Sequence, residues 1–217
     1  MLMRLFAATA LMVSAVACSA QTPAAGAPVA GTDYQLIDPP VPTSAAAGKV
    51  EVIEVFGYSC VHCATLQPVV NEWKKTLPEH VQFTYMPAVF GGAWEIYGRA
   101  YYAAETMGIL EKSHDAIFKA LHTDRKPIQS VEDVADLYTS FGVTREDFMA
   151  SMQSFAVNAK IARAQQTVQR YGVDGTPSII INGKYRVMSP QQGGFKRMLE
   201  IVDALVAQEH AAAAQSD

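Results

Sequence analysis

Cys60-Val61-His62-Cys63 sets two thiols one helical turn apart, inside FGYSCVHCATLQP at 56–68, where a β-rich run gives way to a helical one. Such a pair is open to reversible disulfide exchange, to half of a metal site, or to a role as two inert buried thiols. A metal site needs further ligands at comparable spacing. The chain has no second close cysteine pair and no His-x-x-x-His, and His80, His114, His122 and His210 stand alone. Inert thiols are the ordinary state of cysteines in a reducing compartment. Redox exchange accounts for the placement itself. A cysteine at a helix start faces free N–H groups and the positive end of the dipole, and both favour its thiolate. Cys60 is therefore the expected attacked sulfur and Cys63 its resolving partner, with His62 between them adding a hydrogen bond or a charge.

The compartment follows from the first residues. MLMRLFAATALMVSAVACSA has an early Arg4, an apolar stretch and then small residues, the order of a secretory leader over 1–20. It is too short and too Ala-rich for a permanent membrane span. Ala15-Val16-Ala17 before Cys18 suits ordinary cleavage, as does Cys18-Ser19-Ala20 before Gln21. The run 15–18 also resembles a bacterial lipobox, which makes Cys18 a candidate lipidation site and a lipid anchor a candidate attachment. Either way Cys60 and Cys63 are left as the cysteines of the exported domain, and one pair is no disulfide framework. With 217 residues, half of them hydrophobic and 18% charged, the chain is globular in composition; its net charge of −4 and scattered Lys and Arg exclude nucleic acid as the natural partner.

Around the pair, the elements read as alternating strands and helices. Gln21–Gly48 is rich in Ala, Pro and Gly and reads as a tether. KVEVIEVF (49–56) has the Val/Ile pattern of a buried central strand, with Glu54 inside it. Leu66, Val69, Val70, Trp73 and Leu77 recur at helical spacing across Pro68, and VQFTYMP (81–87) alternates as a second strand, so a right-handed βαβ unit is predicted. Residues from about 90 to 156 show helical periods only. Ser130 and Thr144 look like N-caps, Gly108 and Gly142 like helix stops. SIII and YRVM flank Asn182-Gly183, a tight hairpin signal, and GGFKRMLEIVDALVAQEH supplies a last amphipathic helix.

VEVIEVFGYSCVHC (50–63) with GVDGTPSIIINGKY (172–185) resembles the DsbA family of periplasmic thiol:disulfide oxidoreductases. The resemblance implies an α/β chain with a thioredoxin-like fold and an inserted all-helical domain. The expected division is a leader at 1–20, a Pro/Ala-rich linker at 21–48, the thioredoxin-like domain at 49–87 and 156–209, the helical insertion at 88–155, and a disordered tail at 210–217. It also implies that Cys60 is the nucleophile, Cys63 the buried partner, Glu54 a buried proton carrier, and Pro177 a cis-proline that, with Val61 and Thr176, meets substrate. No cofactor is implied. The expected partners are reduced unfolded secreted proteins and a DsbB-like quinone-coupled membrane oxidase, with the protein acting as a monomer in the periplasm. Two departures bear on redox poise: the best-known members carry Pro where Val61 stands and Val where Thr176 stands.

Two other readings fit the same residues. A disulfide isomerase or reductase resembling the DsbC and DsbG proteins would carry a dimerisation domain ahead of the thioredoxin fold, for which 21–48 is too short. A non-catalytic peptide-binding adaptor would use the cysteines as a staple.

Overall fold

The structure, a computed structural model, describes residues 27–190 and 193–215. Its centre is β2 (Val50–Phe56), buried at every position. β2 is flanked by β3 (Val81–Pro87), parallel to it, and by β4 (Ser178–Ile181), antiparallel to it. β4 turns into β5 (Tyr185–Met188), and a two-residue strand, β1 (Gln35–Leu36), lies beyond β5, giving the order β1-β5-β4-β2-β3. With β3 and β4 on its edges and helices packed over both faces, β2 has no solvent-exposed position. This is why it is nearly continuous in Val and Ile.

α1 (Val61–Lys74) makes the crossover between the two parallel strands and carries Pro68 in its interior. Its buried residues Cys63, Leu66, Gln67, Val70 and Trp73 form one stripe. That stripe packs with α7 (Gly194–Ala214) over Val50 and Val52, and the Trp73 indole N–H donates to Asp203 at 2.8 Å. The hairpin forms at Asn182 (φ 48°) and Gly183 (φ 60°), the left-handed pair that a two-residue turn of this kind requires. Asn182 also accepts the Glu51 N–H and donates to Glu209, both at 2.8 Å.

Between β3 and β4 the chain is helical: α2 (Ala93–Thr106), α3 (Leu110–Phe118), a π-turn (Lys119–Thr123), α4 (Val131–Thr139), α5 (Arg145–Met152) and α6 (Phe155–Arg170). Ser130 and Thr144 cap α4 and α5 by accepting the N–H groups of Asp133 and Asp147. α6 belongs to both halves. Val157, Ile161 and Ala164 pack among the inserted helices, while Val168 joins Ile53, Val55 and Ile180 on the sheet. A polar bridge closes the seam on the other side, where Gln67 and Asn71 of α1 donate to Asp115 of α3 at 2.9 and 2.8 Å.

Two expectations from composition are revised. The segment read as a tether carries β1, and its Ile37 and Val41 are buried. Their N–H groups bond the carbonyls of Lys184 and Gly183 at 2.8 and 2.9 Å, so apolar anchors in the YQLI stretch and after it seat the chain on the hairpin. The expected tail begins as helix, since α7 continues to Ala214 through a run of alanines, the strongest helix formers. The leader and Cys18 lie outside the described residues. Among those described, no helix is long and apolar enough to cross a membrane.

Candidate active site

β2 delivers the chain to the site and α1 begins in it. After Phe56 a tight turn returns the Cys60 N–H to the Gly57 carbonyl at 3.0 Å, and Cys60 becomes the N-cap of α1 with extended backbone angles, φ −84° and ψ 114°. Its Sγ accepts the Cys63 N–H at 3.2 Å. This is the capping geometry in which serine or aspartate offers oxygen, here offered by sulfur. Both cysteines are free thiols; Cys60 retains 9% of its surface and Cys63 none.

The environment splits their acidities. Cys60 is drawn down to about 5, chiefly by a hydrogen bond from the Cys63 thiol, which outweighs the opposing effect of burial. Thr176 and the N–H groups of Cys63 and His62 lower it further. Cys63 is pushed far up, first by burial and then by its hydrogen bond to Cys60. One thiol is thus poised as a thiolate at neutral pH and the other as a protonated acid, the division a nucleophile and its resolving partner need.

His62 joins the site by its main chain. Its N–H faces the sulfur, while its ring is exposed and, among the described residues, has no hydrogen-bond partner. The Thr176–Pro177 peptide is cis, and the Thr176 carbonyl accepts from Cys60 Sγ at 3.5 Å, so this loop faces the pair. Val61 is 59% exposed beside it.

Glu54 lies on the face of β2 that also carries Val52 and Phe56, toward α1. It is wholly buried, and neither carboxyl oxygen has a hydrogen-bond partner. Burial pushes its carboxyl up to about 8 against the pull of Lys74, and the Cys60 charge adds to the rise. Among the described residues no group of three or more His, Cys, Asp or Glu side chains is placed to hold a metal ion.

The apolar side chains of the turn and of the loops near it divide into covered and exposed ones. Phe56 and Tyr58 are buried, at 0% and 1%, beneath the inserted helices. The exposed positions are instead Val61, Phe90 and Met188. Phe90 packs edge-on to Trp94, which covers Gly57, and the Met188 Cε lies where a Cβ on Gly175, in the loop before the cis-proline, would meet it at 3.5 Å. Sequence reading also misses the groups that hold Tyr58: its hydroxyl is 2.8 Å from His114 Nδ1 and its carbonyl 2.7 Å from His122 Nε2. Only the histidine types themselves hinted at a polar role, because both lie more than fifty residues from the pair.

The DSBA-like thioredoxin domain matches residues 97–205 of this chain. Thiol:disulfide interchange protein DsbA of Pseudomonas syringae pv. tomato is 39% identical over 183 residues, 84% of this chain and 85% of that protein. Its Pseudomonas aeruginosa counterpart is 37% identical over 184 residues, 85% and 87% of the two. The crystal structure of oxidoreductase DsbA from Xylella fastidiosa aligns with a TM-score of 0.80 at 38% identity, covering 85% of this chain and 98% of that one. The chain is thus like these proteins in sequence over most of its length and like them in fold, and it belongs to the DsbA family of thioredoxin-fold proteins.

Proposed function

We propose that this protein is a thiol:disulfide oxidoreductase that introduces disulfide bonds into reduced exported proteins. The observation that carries the reading is the opposed acidity of two thiols one turn apart, with Cys60 low and Cys63 high. In the oxidised enzyme a substrate thiolate attacks Cys60 Sγ. The Cys60–Cys63 bond breaks, a mixed disulfide forms, and Cys63 leaves and takes up a proton. A second substrate thiolate then attacks the substrate sulfur of the mixed disulfide, and Cys60 leaves as its stabilised thiolate. Two electrons pass from substrate to enzyme. Glu54, protonated at neutral pH by its burial, is the proton source for Cys63.

Substrate is held by the Thr176–Pro177 loop and by Val61, with exposed apolar neighbours that take unfolded chains without sequence preference. The place of action is the periplasm. Reoxidation falls to a quinone-coupled membrane oxidase of the DsbB kind, and the chain works as a monomer, because a donor of disulfides needs one site. Acylation of Cys18 would tether this activity to a membrane surface; intact mass of the native protein tests that point.

The deciding assay offers the oxidised protein two substrates, a reduced multi-disulfide protein and the same protein with scrambled disulfides. Fast oxidation of the first and slow rescue of the second is the expected outcome. Rapid rescue with slow oxidation would turn the assignment to an isomerase. A Cys60–Cys63 bond that resists small thiols would mark a staple.

A further inference from the structure

Tyr58 stands two residues before Cys60, and the helical insertion grips it at both ends. Its hydroxyl meets His114 of α3, and its carbonyl meets His122. The two contacts differ in kind. The first holds a side chain within an aromatic cluster of Phe56, Tyr58, His114 and Phe118. The second holds the main chain of the active-site turn itself.

His122 reaches that carbonyl because α3 does not end as an α-helix. Lys119–Thr123 widens into a π-turn, closed by the Asp124 N–H on the Lys119 carbonyl at 2.9 Å. The extra residue re-aims side chains in the last turn; single π-turns of this sort recur at functional positions. A carbonyl can only accept, so the His122 Nε2 must carry the proton.

We infer that His122 is a positioning residue for Cys60: by donating from Nε2 to the Tyr58 carbonyl it fixes the Tyr58–Ser59 peptide plane, and with it the turn that aims the first N–H groups of α1 at the sulfur. The turn has one internal main-chain bond, from Cys60 N–H to Gly57 O. His122 supplies the outside restraint, which makes the helical insertion part of the redox site rather than a cover over it. The inference rests on the oxidase reading of the Cys60–Cys63 pair.

The test compares His122→Phe, which keeps a ring against Phe118 but removes the donor, with His122→Gln, which restores an N–H at similar reach. The readout is the thiolate absorbance of Cys60 against pH. His122→Phe should move the midpoint up by about one unit, and His122→Gln should leave it near wild type. An unmoved midpoint with only a lower melting temperature in His122→Phe overturns the inference, and so does a His122→Gln midpoint displaced as far as that of His122→Phe. If His122→Phe does not fold, imidazole 15N shifts of the wild-type protein decide: a proton on Nε2 supports the inference and one on Nδ1 overturns it. A wild-type midpoint at the ordinary thiol value sinks the oxidase reading and this inference together. A low wild-type midpoint that His122→Phe leaves in place sinks this inference alone.

Discussion

The main-chain N–H of Cys63 points at the sulfur of Cys60 across 3.2 Å, so the residue proposed to resolve the disulfide also donates to the proposed nucleophile. The same pair is joined thiol to thiol, and that bond is the largest influence holding Cys60 down at about 5.

Titration of the reduced protein should show one transition near pH 5. Cys60→Ser should abolish it. Cys63→Ala should move it upward, because the thiol donor is gone, and leave it below an ordinary cysteine, because the N–H groups remain. Since the folded-state value is depressed, this stabilisation of the reduced protein is present above the unfolded value and lost as pH falls through 5. The redox potential should therefore change by about 30 mV per pH unit between pH 5.5 and 7, where one proton accompanies two electrons, and by about 60 mV per unit below pH 5. A slope near 60 mV throughout would contradict a Cys60 thiolate.

Glu54→Gln should stabilise the fold. A buried acid raised to about 8 is tolerated below its unfolded value of 4.5 and becomes progressively costly as pH rises toward 8. The variant should gain roughly 1–3 kcal/mol at pH 7 and nothing at pH 4. Denaturant melts at the two pH values check this. Stopped-flow oxidation should meanwhile show slower release of Cys63. A large loss of stability with unchanged turnover would mark Glu54 as structural.

Gly57 is fixed by Trp94. A Cβ there would fall 2.1 Å from the indole ring. Gly57→Ala should displace the ring, shift tryptophan emission and cost on the order of 1–3 kcal/mol. Unchanged emission and stability would mean that Trp94 is free to swing away.

Gly183→Ala tests the seating of the N-terminal segment. The added carbon would lie 1.9 Å from the Val41 carbonyl, at a backbone angle of φ 60° that favours glycine. The variant should lose roughly 2 kcal/mol or more, and amide exchange should speed up at Ile37 and Val41 before the central strands respond. Exchange at those two amides equal to wild type would show that the turn can move without releasing the segment.

What the sequence made legible was local. β2 and β3 announce themselves by composition and alternation, α1 by its stripe from Leu66 to Trp73, the turn by Asn182-Gly183, and the redox pair by its own spacing. What escaped was held by partners far along the chain. β1 is two residues long and exists because Tyr185 and Arg186 lie opposite it. Phe56 and Tyr58 are covered by α2 and α3, and nothing near them in the sequence shows that cover. His122 read as an isolated histidine, and its meaning depends on a π-turn that no periodicity reveals.

The small size of β1 has a last consequence. An open sheet edge lets any extended segment add itself as a strand, and β5 without cover would be such an edge. β1 occupies it with two residues, and after Ile37 comes Asp38-Pro39-Pro40, where the prolines offer no N–H for a further ladder. The N-terminal segment thereby closes the β5 edge of the sheet to further main-chain pairing.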